Sequence, residues 1–131
     1  MIIRTLRVLG WIVGSCLVGL GVGRILFPVA TIPGATAMNA TVDSETRAGG
    51  ALLIALGVGY LWAVRRSPIP ATLLRFLALG MGLLALTRVV SIVATGVPHP
   101  IFVVAMVVEI VASVLTFWYS TLRDVPEPVG R

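Results

Sequence analysis

Apolar residues in this chain come in four long runs with few polar interruptions. The first extends from Leu6 to Phe27 and the second from Ala48 to Val64, with Ser44 as its outer limit. The third covers Leu73 to Thr95 and the fourth Ile101 to Leu122. A membrane-spanning helix needs roughly 17–25 mostly apolar residues, so the pattern predicts four spans at about 6–27, 44–64, 73–95 and 101–122. Breakers bound each run. Pro28, Pro33 and Gly34 follow the first, Ser67-Pro68-Ile69-Pro70 the second, and Gly96-Val97-Pro98-His99-Pro100 separates the last two. Asp43 is the expected N-cap of the second helix, with Glu45 in its first turn. The fold class is therefore all-α, an integral membrane four-helix bundle of one domain (1–122). A cytoplasmic tail of poor expected order (123–131) follows it.

Small residues recur within these runs at helical spacing. Gly10, Gly14 and Gly21 share one face of the first helix, with Leu17 between them and Arg24 at its end. Ala51, Ala55, Gly59 and Ala63 make an unbroken row on the second. Such rows let backbones approach closely, which drives helix association where water cannot. They serve either packing within one chain or contact with another.

Composition removes any soluble alternative. The hydrophobic fraction is 58 % and the charged fraction 11 %, against about 45–50 % and about 25 % in soluble domains. The formal net charge of +5 does not point to nucleic acid, because the arginines sit at the ends of apolar runs and not on one face. Arg4, Arg7, Arg65, Arg66, Arg75, Arg123 and Arg131 fall in the N-terminus, the middle loop and the tail. Those segments share a side in a four-span chain, so both termini are expected in the cytoplasm. Trp11, Tyr60, Trp62, Phe76, Phe117, Trp118 and Tyr119 fall near the same ends, as an interfacial belt would. A cleaved leader ending near Ala35-Thr36-Ala37 is the rival for the first run. Its length and Arg24 argue against that.

Ionisable residues inside the runs are the strongest functional signal. Arg24 lies in the first, Arg88 in the third and Glu109 in the fourth. An isolated charge in hydrocarbon costs roughly 2.5–3.5 kcal/mol even on lenient insertion scales, so such residues face a bundle interior and find partners. Arg88 and Glu109 are nearly equidistant from the Gly96–Pro98 turn, which puts them at one depth and predicts that they pair. Ser91 and Thr95 share the Arg88 face. Ala105, Ala112, Ser113 and Thr116 share the Glu109 face. With Asp43, Glu45, Arg47 and His99 at the outer helix ends, the outer half of the bundle gathers the charges. Such a cluster can be a structural ion-pair brace, a ligand pocket or an ion path. The last is weakest, because no acid continues through the other half.

Other chemistry finds little support. His99 stands alone between two prolines, whereas a metal site wants several ligands. Cys16 is single, and no nucleophile is set beside a base and its orienter. No cofactor, no metal and no catalytic residue is expected.

The segment Asn39-Ala40-Thr41-Val42-Asp43-Ser44-Glu45-Thr46-Arg47-Ala48-Gly49-Gly50, with Arg88, Ser91, Gly96, Pro98 and Glu109, resembles a known pattern. It is similar to domain-of-unknown-function family 4345, an uncharacterised family of small bacterial four-helix membrane proteins. The resemblance covers nearly the whole chain. The family's turn often carries an acidic residue where this chain has Thr95. The resemblance implies a multi-pass protein of the bacterial inner membrane and no particular reaction. The first function expected is a non-enzymatic accessory or scaffold subunit, partnered by the bilayer and by a larger membrane protein or its own copies. The alternative is a small-molecule or lipid binding or transport protein with a charged pocket in the outer half.

Overall fold

The computed structural model describes residues 2–35 and 37–122. The described residues form α1 (Ile2–Leu26), α2 (Ala40–Arg65), α3 (Ala71–Thr95) and α4 (Pro100–Leu122), with a single 3₁₀ turn at Val29–Thr31. All four helices are long and apolar enough to cross a membrane. The expected tail, 123–131, lies outside the described residues.

The helix ends follow local chemistry. α2 starts earlier than the sequence pattern suggested, and Asn39 caps it in place of Asp43. The Asn39 backbone is extended, and its side-chain oxygen accepts the Val42 N–H at 3.0 Å. Asparagine is among the best N-caps. Asp43 falls inside the first turn and pairs forward with Arg47. α3 stops at Gly96, whose φ of 94° is open to glycine but strained for other residues. Its N–H donates to the Ile92 carbonyl.

The helices pack as two antiparallel hairpins, α1 on α2 and α3 on α4. Glycines set the first. A Cβ on Gly21 would stand 2.5 Å from the Gly50 carbonyl oxygen, and one on Gly50 would stand 2.7 Å from the Gly21 oxygen. About two helical turns away, a Cβ on Gly57 would stand 2.7 Å from the Gly14 oxygen. Gly10 completes the α1 row against Val64. The α2 face that meets α1 is therefore Gly50 and Gly57, and the Ala51–Ala55 part of the small-residue row does not face α1. Ala51 and Ala55 are exposed. Backbone contact this close leaves no room for a methyl group, so the glycines decide how α2 is rotated. Gly59 faces α3, where a Cβ would meet Leu77 at 2.9 Å, and Ala63 is fully buried.

The second hairpin is tied by Ser113, whose hydroxyl donates to the Ala78 carbonyl at 2.8 Å. The two hairpins share a core of Leu53, Tyr60, Ile69, Leu77, Met81 and Tyr119, among others. The Tyr60 and Thr116 hydroxyls join across it at 3.0 Å. Buried positions on α3 end at Ala85, one turn before Arg88. The shared core is therefore thickest toward the end that carries the α1 start, the 66–70 connection and the α4 end. We call this the terminal end, and the opposite one, with residues 27–39 and the 96–99 turn, the loop end.

The aromatic residues divide between two roles. Trp11, Trp62, Phe76, Phe117 and Trp118 are exposed on the bundle surface, as a belt requires. Tyr60 and Tyr119 are buried in the core and leave that set. Arg65 lies over the Trp11 ring at 5.2 Å and Arg66 over Trp62 at 4.6 Å. Each guanidinium thereby keeps an aromatic face beside it at the terminal end.

Candidate functional site: a charged cluster toward the loop end

Arg88 and Glu109 meet as a two-pronged pair. The Arg88 Nε donates to Glu109 Oε2 at 2.8 Å and its Nη2 to Oε1 at 2.9 Å. The Glu109 side chain is 8 % exposed and that of Arg88 23 %. The geometry comes from the hairpin itself. Arg88 precedes the end of α3, and Glu109 follows the start of α4, by similar stretches of roughly 10–14 Å at 1.5 Å per residue. Both carboxylate oxygens and two guanidinium nitrogens are satisfied, as a charge in an apolar setting requires. The Phe102 ring lies 5.8 Å from the guanidinium carbon.

A second fork lies on α2. Arg47 Nε and Nη2 donate to the two Asp43 oxygens at 2.8 and 3.1 Å. Its Nη1 donates to the Ile25 carbonyl in the last turn of α1. The last carbonyls of a helix have no partner within it, and the helix dipole there favours a cation. Arg47 answers both needs. Arg7 does the same in reverse, donating from α1 to the Arg66 carbonyl at the end of α2 at 3.0 Å. Each helix of this hairpin thus gives an arginine from its first turns to the end of the other. Sequence reasoning missed both contacts. The available signal was an arginine soon after each helix start in an antiparallel pair.

Arg24 stands between these two forks. It is half-buried, and its Nη1 lies beside α2 at Gly49. It is within electrostatic reach of both Arg88 and Glu109. Among the described residues no hydrogen bond or ion pair engages its guanidinium. Glu109 is already occupied by Arg88, so the cluster of Arg24, Arg88 and Glu109 carries one unit of positive charge in excess.

The remaining sequence candidates stay outside this group. Glu45 is exposed and takes no part in either fork. Ser91 is exposed, and its carbonyl accepts the Thr95 hydroxyl at 2.8 Å. His99 is exposed at the loop end, beside Gly34, with Nδ1 a long 3.4 Å from the Ile101 N–H. The fold thus brings Arg24, Arg88 and Glu109 together, holds Asp43 with Arg47 at the α1 end, and leaves Glu45, Ser91 and His99 at the surface.

Chemically, the arrangement suits an anion. A guanidinium offers planar N–H donors that match carboxylate or phosphate, and that of Arg24 is uncommitted beside a satisfied pair.

No curated protein and no solved structure matches the chain. The sequence model of a family described as a domain of unknown function, DUF4345, matches residues 5–120. That match takes in nearly all of the bundle and the charged cluster with it, and the chain belongs to this family.

Proposed function

We propose that this multi-pass protein is a non-enzymatic binding protein, and that its ligand is an anion held by Arg24 beside the Arg88–Glu109 pair. The observation that carries this reading is the charge imbalance. A brace whose only task is to fix helix register works best when neutral, because each unpaired charge in an apolar bundle is costly. Within the group of Arg24, Arg88 and Glu109, with Glu45 exposed on α2 outside it, Arg24 is the surplus charge, and a bound anion would remove it. The protein's own setting is taken to be the bacterial inner membrane, with the termini in the cytoplasm and the loop end outside. Support for that orientation comes from Arg4, Arg7, Arg65, Arg66 and Arg75 at the terminal end.

A second reading, an accessory subunit of a larger membrane assembly, is favoured by one feature. Ala51 and Ala55 are exposed on α2, one turn apart, where another helix could approach closely.

Native mass spectrometry of the protein extracted gently from its own membrane separates the two. A defined anionic mass on the bare chain, absent from Arg24→Gln, supports the binding reading. A reproducible complex with another polypeptide that survives Arg24→Gln moves the conclusion to the accessory subunit. A bare chain without ligand or partner sinks both.

A further inference from the structure

We infer that the seam between α3 and α4 at the terminal end holds one anionic phospholipid of that leaflet, with its phosphate at Arg75 and an acyl chain in the groove beside it. This goes beyond the anion-binding reading and makes no use of Arg24.

The groove exists because its floor is small. Gly82 has no side chain, and a Cβ there would stand 3.1 Å from the Ser113 hydroxyl oxygen. That hydroxyl donates to the Ala78 carbonyl at 2.8 Å, so the floor of Ala78, Gly82 and Ser113 turns its one polar side chain to the hairpin. Exposed apolar side chains rise on both sides, among them Leu79 and Leu83 on α3 and Val114 and Phe117 on α4. The space between has a volume of about 740 Å³, within the roughly 300–1,000 Å³ of small-molecule sites. Its terminal end has a different chemistry. Arg75 is exposed in the second turn of α3 and lines the groove there, with Trp118 and Thr121 from the last turns of α4.

Three observations choose an anionic phospholipid over other occupants. The first is charge complementarity. Arg75 is the one charged residue in the described lining, at the mouth of an otherwise apolar channel. A guanidinium has five N–H donors, so it can give two of them to a phosphate whatever else it touches. The second is length. From Arg75 to Leu86 the groove follows α3 for roughly 17 Å at 1.5 Å per residue, about one leaflet of a hydrocarbon core of roughly 30 Å. A partner helix needs a seam open over the whole height, whereas this lining stops at Leu86 on α3 and Ser113 on α4. The third is polarity. The cation and an interfacial tryptophan stand at the terminal end, and the apolar channel runs from them toward the middle of the helices. A lipid of the terminal-end leaflet has the same order of headgroup and chain, while a water-soluble anion would leave the channel unfilled.

The test uses the full chain in nanodiscs of phosphatidylcholine containing a minor fraction of phosphatidylglycerol, with retained lipid read by native mass spectrometry. We expect one phosphatidylglycerol per chain. Arg75→Gln should lower its retention about tenfold, the loss that one charge-assisted hydrogen bond predicts, and Arg75→Lys should keep most of it. Val114→Trp, which fills the groove from an exposed position, should also lower retention. Val93→Trp, exposed on α3 outside the groove, should not. Helicity and melting temperature of each variant must match the parent, which separates lost binding from lost folding. Equal retention of the two lipids by the parent, full retention in Arg75→Gln, or equal losses in Val114→Trp and Val93→Trp overturns the assignment. A second copy of the chain that is retained by the parent and lost in Val114→Trp overturns it too, by giving the groove to a helix. Arg24→Gln separates this site from the charged cluster. It should leave phosphatidylglycerol retention unchanged, and a loss there in place of Arg75→Gln overturns the Arg75 site while the anion-binding reading stands.

Discussion

Gly21 on α1 and Gly50 on α2 each present bare backbone to the other's carbonyl oxygen, and no side chain of any kind fits between them. The contact lies on hard backbone atoms, so neither helix can yield locally. Gly21→Ala should therefore push the first hairpin apart and destabilise it by about 1–3 kcal/mol, the usual range for overpacking. Gly19 is the internal control. It sits on the same helix with open space around its Cβ position. Gly19→Ala should leave the protein unchanged or slightly more stable, because alanine is the better helix former. Thermal melting of both variants in one detergent checks this; equal effects would remove the close approach as the cause.

The Arg88–Glu109 fork makes a prediction by charge reversal. Glu109→Gln leaves Arg88 without its counter-charge and should cost about 3 kcal/mol, the low end for a broken buried pair because Arg88 is partly exposed. The exchange of both residues, Arg88→Glu with Glu109→Arg, should recover much of that loss. Urea or thermal unfolding in lipid mimetics measures it. An exchange no better than the single change would mean that the surroundings, and not the pair, set the stability.

Tyr60 and Thr116 join the two hairpins through their hydroxyl groups. Tyr60→Phe removes that bond without altering the packed ring, and should cost about 1 kcal/mol. Thr116→Val should cost a similar amount. The double variant should lose little more than either alone, since both singles break the same bond. Fully additive losses would show that the hydroxyls do not act on each other.

Topology can be read with a membrane-impermeant maleimide. In a Cys16→Ser background, His99→Cys at the loop end should react from outside intact cells. Ser67→Cys, in the connection at the terminal end, should react only after permeabilisation. The reverse pattern would invert the orientation proposed here and place the charged cluster on the cytoplasmic side.

The helix count and lengths were legible in the chain because lipid imposes a blunt rule. A span must be long, apolar and internally hydrogen-bonded, and the breakers at Pro28, Pro68 and Gly96 mark where each one stops. Pairing of Arg88 with Glu109 was legible too, since a short turn fixes their relative depth. α1's glycine row was readable because its small residues fall on one face. Other features depend on which way a helix is rotated and what it meets, and no single run carries that information. α2 offered two small faces, Ala51–Ala55 and Gly50–Gly57. Only backbone contact with α1 chose the glycines, because alanine's methyl would have held the helices apart. Tyr60 and Tyr119 looked like interfacial residues and became core once two hairpins met around them. Arg7 looked like a topology signal and Arg47 like a member of the outer charged cluster until the partner helix placed a bare carbonyl within reach of each. The sequence by itself determined that four apolar helices would form and which charges they would carry inward. Only the tertiary structure decided that Arg24 is left without a partner among the described residues and that Arg47 and Arg7 close the ends of the neighbouring helix, because partners are assigned by distance between helices and not by position along one.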